Sequence, residues 1–314
     1  MNLNGMQHFT PSGKTIGDTV IGHIASFIAV MMWGYSFVSS KVLLDNGLGP
    51  VQIYICRFIL AYLIVVCISH KRLFSATWHE EGMFCLCGLC AGSIYFIAEN
   101  TALEYTLATN VSLITSLSPI LTTMIIGFLY KSERPGRGFI TGSFLAFMGV
   151  GLVIFNSSFV IKVNPIGDML SLLAAVSWAI YSVVLRRLNT TYTVTFISRK
   201  TFFYGVLTAL PFLVISPDLA PMETLTRPAV WGNLLFLGLF ASMFAYVIWA
   251  QAIKVLGPVK ASNYLYFQPI ITLIASAWFL GETISFIGYA GCTLIIVGVW
   301  LSEWLERRKI VKRS

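Results

Sequence analysis

Charge is scarce in this chain. Asp, Glu, Lys and Arg supply 11% of its 314 residues, less than half of the roughly 25% usual in soluble domains, so a water-facing surface of ordinary polarity cannot be built. Histidine is scarcer still: His8, His23, His70 and His79 are scattered, which gives neither the clustered ligands of a metal site nor a base beside a nucleophile. No glycine-rich phosphate loop occurs. All six cysteines, Cys56, Cys67, Cys85, Cys87, Cys90 and Cys292, fall inside apolar runs, where they act as small hydrophobes and not as a secreted disulfide framework. Cys87 and Cys90 have the spacing of a thioredoxin-like pair, but mid-run, with no soluble fold around them, so the match is read as accidental. A small-residue cleavage site is also missing after residues 1–19, a polar stretch read as a cytoplasmic tail and not as a removed signal peptide. These absences predict no enzyme, no cofactor and no bound metal.

Apolar residues are what the chain has, at 57%. They gather into runs of about twenty, the length that crosses a ~30 Å hydrocarbon core as a helix. Ten runs can be marked, at about 20–40, 50–69, 82–104, 107–129, 137–156, 165–186, 192–216, 230–252, 258–280 and 283–303. The expected fold is an all-α integral membrane bundle of ten transmembrane helices with lipid as its solvent. A net charge of +8 would suit nucleic acid, but the basic residues sit in short loops, which argues against that partner. With the amino terminus inside, Lys41, Lys162 and Arg227 fall outside, Arg57 lies within a span, and the remaining Lys and Arg are on the inner side. That bias orients membrane proteins. It predicts a multi-pass protein of the cytoplasmic (inner) membrane, with both termini cytoplasmic and residues 306–314 forming a basic tail.

Residues 20–157 and 165–305 repeat one another. Trp33, Tyr35 or Ser36, and Lys41 answer to Trp178, Tyr181 and Arg186; Arg57 answers to Arg199; Tyr95, Ala102 and Leu103 answer to Tyr246, Ala252 and Ile253. Further on, Ser112 and Pro119 match Ser262 and Pro269, Glu133 matches Glu282, and Gly142 and Gly149 match Gly291 and Gly298. Five spans per half is an odd number, so the second half enters the membrane from the opposite side. Two inverted five-helix repeats around a central cavity are a transporter architecture, with the substrate site near the midplane and alternating access as the working principle.

The residues that carry these matches also resemble a known family. Trp33, Gly34 and Phe37, then Arg57 and Phe58, then Ala102, Leu103, Tyr105 and Thr106 leading to Pro119 and Glu133, are similar to motifs of the drug/metabolite transporter superfamily, EamA-type members. So are Gly167 and Asp168 before Trp178, and Pro269 with Gly281 and Glu282. The resemblance covers roughly residues 20–305. It implies ten spans, cytoplasmic termini, a cavity between the halves and export or exchange of small metabolites.

Candidate site residues are polar or aromatic groups placed deep in spans. Glu99 lies about five residues, or ~7 Å, from the outer end of the third span. A carboxylate there is costly and marks a pathway or a coupled charge by default. It can be read as an ion pair with Arg57, as a cavity group that binds an ammonium or takes up a coupled proton, since shielding from water favours the neutral carboxyl, or as both at once. Arg57 suits a substrate carboxylate. Its mate Arg199 finds Trp249 at the position matching Glu99 and is expected to snorkel to the cytoplasm beside Lys200. Trp33, Tyr35, Trp178, Tyr181 and Trp249 are too deep for an interfacial belt, and either fill space between helices or wall the cavity. Asn100, Asn110, Gln251, Asn263, Tyr264 and Gln268 are either interhelical glue or binding groups. Gln268 is singled out because Pro269 follows it, and a mid-membrane proline frees a carbonyl; Pro119 repeats the arrangement.

The expected activity is that of a secondary transporter, an exporter or exchanger of small metabolites such as amino acids or related amphipathic solutes. A drug- or nucleoside-type carrier is the alternative. A channel would show a ring of like groups along its pore, and a membrane-embedded enzyme would gather His, Asp or Cys near one face. Neither pattern is present in the sequence. Monomer and homodimer both stay open.

Overall fold

The computed structural model describes residues 16–70, 73–105, 111, 114–130, 135–154, 164–215, 219–279 and 285–311. Of the residues named above, His8, Thr106, Asn110, Ser112, Glu133, Lys162, Gly281 and Glu282 lie outside them, as do Lys14, Lys71, Arg72, Lys131, Arg134, Lys312 and Arg313 among the basic residues assigned to the inner side. Ten helical columns run through the described residues: α1 (Ile16–Asp45), α2 (Pro50–Ile68), α3 (Trp78–Gly88, continuing through Leu89–Ser93 into Ile94–Tyr105), α4 (Ser118–Leu129) and α5 (Arg137–Ile154). The second set is α6 (Pro165–Leu188), α7 (Val194–Ile215), α8 (Pro228–Leu235, continuing through Phe236–Phe244 into Ala245–Leu256), α9 (Pro258–Ser262, Asn263–Phe267 and Gln268–Phe279) and α10 (Phe286–Val311). Five of the columns, α1, α2, α3, α6 and α8, are long and apolar enough to cross a membrane within their described residues, and α4, α5 and α10 contain shorter apolar helices.

Local chemistry sets the column starts. Pro50, Pro165, Pro228 and Pro258 each open a helix at a position where the missing N–H costs nothing. Asn164 caps α6 by accepting from the amides of Ile166 and Gly167 at 3.1 and 3.2 Å, and Thr77 with Glu80 forms a capping box at α3. Between α8 and α9 the chain reverses at Gly257, whose φ of 83° is a conformation glycine adopts without strain. Successive columns alternate in direction, so the start of α1 and the end of α10 lie at one end of the bundle, called here the terminal end; Asp45 and Tyr105 lie at the far end.

The seam between α5 and α10 gives the relation between the halves. A Cβ on Gly142 would sit 2.6 Å from the carbonyl oxygen of Gly298, and one on Gly298 would sit 2.8 Å from that of Gly142. Gly149 and Gly291 pair in the same reciprocal way at 2.8 Å. As the number rises along α5 it falls along α10, so the fifth helices of the two repeats pack antiparallel, at a backbone distance only glycine permits. Antiparallel equivalents mean inverted repeats.

A second shared feature was not visible in the sequence. Leu89–Ser93 in α3 and Phe236–Phe244 in α8, each the third helix of its repeat, are π-helical. Such stretches shift the normal hydrogen-bond ladder and recur at functional sites. In each, a carbonyl accepts from an aromatic side chain of the other repeat: Tyr246 Oη donates to Ala91 at 2.5 Å, and Trp33 Nε1 donates to Ala241 at 2.8 Å.

Candidate substrate site

Within the far half of the bundle lies a cavity of about 40 Å³. Helical spacing explains its walls. Trp33, Ser36, Phe37 and Ser40 recur along α1 at the intervals that share one helix face, and Tyr95, Phe96, Glu99 and Asn100 form the equivalent stripe on α3. Arg57 enters from α2, Trp178 from α6, Thr115 and Ser116 from just before α4, Ser118 from its first position, and Leu265 and Gln268 from α9. Pro119 and Pro269 lack an N–H and so cannot donate to the carbonyls four residues back, those of Thr115 and Leu265; the Leu265 carbonyl accepts from the Gln268 amide instead. Thr115 and Leu265 both line the cavity. Ser118 Oγ donates to the Thr115 oxygen at 2.7 Å, while Thr272 Oγ1 ties the Gln268 carbonyl to that of Gly34 across α1 and α9, at 3.0 and 2.9 Å.

Arg57, only 2% exposed, is held from two sides: Nε donates to Ser242 Oγ at 2.8 Å and the guanidinium stands 4.4 Å over the Phe96 ring. Its Nη2 has no partner among the described residues. Glu99 accepts from Tyr95 Oη at 3.3 Å, and Asn100 Nδ2 donates to the Pro50 carbonyl at 3.4 Å. Among the described residues Arg57 and Glu99 form no ion pair with each other, although both face this cavity. Beneath them the rings of Trp33, Trp178, Trp249 and Tyr246 meet edge-on or tilted, with centroids 5.1 to 6.3 Å apart, which closes the cavity toward the terminal end. The indole N–H groups of Trp178 and Trp249 are buried and have no hydrogen-bond partner among the described residues.

The structure brings Trp33, Arg57, Glu99, Asn100, Trp178 and Gln268 together and places the other candidates elsewhere. Trp249 and Tyr181 are buried below the cavity, in the aromatic floor and against Trp178 at 5.2 Å respectively. Tyr35 turns its ring edge to Phe236 at 4.8 Å. Asn263 donates to Ser302 Oγ at 3.1 Å and so joins α9 to α10, and Tyr264 Oη lies 2.7 Å from His23 Nδ1, joining α9 to α1. Gln251 is half-buried outside the cavity. Arg199 does not snorkel to water: it is 2% exposed and donates to the carbonyls of Ser69, just after α2, and Leu73, before α3. Ser36, Phe37, Ser40, Tyr95, Phe96, Thr115, Ser116, Ser118 and Leu265 were missed. The signal for most of them was present: one helical turn before or after Trp33 and Glu99 reaches Ser36, Phe37, Tyr95 and Phe96, and the paired prolines point from Gln268 back to Ser118. Among the described residues no group of three His, Cys, Asp or Glu could hold a metal.

Comparison with known proteins follows the same two-part division. The EamA-like transporter family model matches twice, over residues 20–155 and 165–304. A Bacillus subtilis (strain 168) protein described as the uncharacterized transporter YyaM is 32% identical, covering 96% of each chain. An Escherichia coli (strain K12) protein described as a probable amino-acid metabolite efflux pump is 24% identical, over 92% of this chain and 97% of that one. A solved crystal structure superposes with a TM-score of 0.74 at 19% identity, covering 92% of this chain and 99% of the other, which establishes a common fold.

Proposed function

Because this chain belongs to the EamA-like transporter family, it is a multi-pass membrane transporter of small molecules and not an enzyme, and from that premise we propose that it exports or exchanges amino acids or closely related amphipathic solutes by alternating access. It works in the cytoplasmic membrane with both termini inside. One observation carries the reading of the substrate: Arg57 and Glu99 face one cavity without an ion pair between them, and Arg57 Nη2 has no partner among the described residues. A buried donor without an acceptor is costly, and a substrate carboxylate removes that cost by accepting from Arg57 Nη2 and from Trp178 Nε1. Glu99 receives the ammonium group or a coupled proton, and Trp33, Phe37, Phe96 and Leu265 pack on the apolar part of the solute. A water needs roughly 10–15 Å³ of such space, so the cavity as it stands holds a few waters and widens around a metabolite. The efflux-pump description of the Escherichia coli relative supports the same class.

Thermal-shift measurements on detergent-solubilised protein, with amino acids, nucleosides and cationic drugs as probes, test the substrate class. Amino acids are expected to stabilise, since a ligand at a hundred times its Kd adds about 2.7 kcal/mol. Stabilisation by sugars or phosphorylated compounds alone overturns the proposal. Glu99→Gln in vesicles tests the proton: pH-driven uptake is expected to vanish while exchange persists, and an unchanged pH response removes that role.

A further inference from the structure

At the terminal end, opposite the cavity, a buried charge pair joins the two repeats and has no part in the substrate site. Glu81 lies in the first turn of α3 and Lys200 in α7. Lys200 Nζ is 2.7 and 2.9 Å from the two carboxylate oxygens, and the side chains are 6% and 9% exposed for Lys200 and Glu81 respectively. Each oxygen has a further donor: the Ser75 amide at 2.7 Å and Tyr204 Oη at 2.6 Å. Tyr192 tightens the same junction, donating to Glu80 Oε2 at 2.8 Å and accepting from the Ala76 amide at 2.9 Å. Nearby, Arg199 holds the carbonyls of Ser69 and Leu73. The residues that flank the α2–α3 connection are thus strapped across the start of α7.

We infer that the Glu81–Lys200 pair is the gate latch of the terminal side, holding that end shut while the far cavity is open. The inference rests on the alternating-access reading, in which the repeats move against each other. A buried ion pair is weak support for stability because the cost of dehydrating both charges offsets their attraction; its better-attested use is to specify one arrangement over another. Here it spans the two bodies whose separation would open the path. Between the latch and the aromatic floor, α3 and α7 touch through glycine: a Cβ on Gly88 would lie 2.5 Å from the Gly205 nitrogen, and one on Gly92 would lie 3.2 Å from the Gly205 Cα. Phe84 packs edge-on against Phe196 at 5.4 Å and Ser93 meets Thr208 at 2.8 Å along the same contact, so the latch supplies the charged part of a packed junction. Releasing Lys200 from Glu81 lets water reach the stretch of α3 beyond Glu81, where Cys87 and Cys90 are buried.

Cys87 and Cys90 serve as reporters once Cys56, Cys67, Cys85 and Cys292 are changed to Ser. In vesicles, a membrane-impermeant maleimide is applied to the terminal side of this parent and of the double variant Glu81→Gln with Lys200→Met, which leaves no unpaired charge. Labelling is expected to rise at least fivefold in the double variant. A second reporter, Ser40→Cys in the far cavity, is expected to label more slowly from the far side in the same background. Reporter labelling at the terminal side that equals the parent overturns the latch, and so does a double variant that no longer folds, since the pair would then be a structural clamp. A rise at the terminal side without a fall at Ser40→Cys upholds the latch and sinks the alternating-access reading instead.

Discussion

Ala91 and Ala241 lie in corresponding π-helical stretches of the two repeats, and each accepts a hydrogen bond from an aromatic side chain of the opposite repeat. The glycines of α5 and α10 are reciprocal in the same way. On this shared frame the two halves carry different chemistry. Arg57 looks into a cavity whose lining comes from the first repeat except for Trp178, Leu265 and Gln268, whereas its mate Arg199 is spent on the carbonyls of a connecting segment at the other end. Glu99 stands where the second repeat has Trp249, a ring of the aromatic floor. Inversion is the reason such divergence is tolerated: equivalent residues sit at opposite ends of the bundle, so one copy can face the solute while the other helps close the opposite side. Symmetry of the backbone therefore does not oblige symmetry of the site.

Breaking the shared frame should have the largest effect. Gly149→Leu would place side chain where a Cβ already lies 2.6 Å from the Ile295 nitrogen; overpacking of this kind costs about 1–3 kcal/mol or more, and with backbone as the obstacle most of the folded protein should be lost in size-exclusion melting. A variant that melts like the parent would remove the α5–α10 seam as the axis of the fold. Next comes the pair of arginines. A hydrogen bond to a charged group contributes about 1.5–3 kcal/mol, so Arg57→Ala should weaken amino-acid binding by roughly ten- to a hundredfold, measured by titration calorimetry. Arg199→Ala should slow transport in vesicles with affinity retained. Equal losses of affinity in the two variants would erase the asymmetry claimed here.

Smaller changes sharpen the comparison. Trp178→Phe keeps the ring in the aromatic cluster and drops the N–H, a single hydrogen bond to a charged group at the low end of about 1.5–3 kcal/mol, so Kd for a carboxylate-bearing solute should rise roughly tenfold. Esterified analogues should show no such difference between Trp178 and Phe. Gln268→Ser makes α9 resemble α4 at its proline and should shift binding by no more than about twofold, because a bound water can stand in for the lost amide. A tenfold loss would mean that the second repeat contacts the solute directly.

The legible part of this molecule was whatever repeats along the chain. Runs of twenty apolar residues, the matching of Trp33 with Trp178 and of Pro119 with Pro269, and the odd number of spans per half are linear patterns, and they led to inverted repeats before any contact was known. Glu99 and Arg57 were legible because charge in a span is expensive. The failures have one cause. Tyr35 and Gln251 are as polar and as deep as the residues that line the cavity, but they point elsewhere, and Ser36 and Ser40 are too ordinary to stand out among the serines of a membrane chain. Arg199 was misjudged because its partners are backbone carbonyls, which carry no signature in sequence. The π-helical stretches escaped for a similar reason, since a shift in the hydrogen-bond ladder is a response to packing and not to composition.

The sequence by itself determined that the chain lives in a bilayer, crosses it as helices and is built from two halves of opposite direction, because hydrophobic length and internal repetition are properties of the chain alone. Which side chains meet was decided only in three dimensions, by the rotation of each helix about its axis. That rotation set Arg57 and Glu99 facing one cavity and Lys200 against Glu81, since neighbours on different helices are chosen by packing that no span can specify on its own.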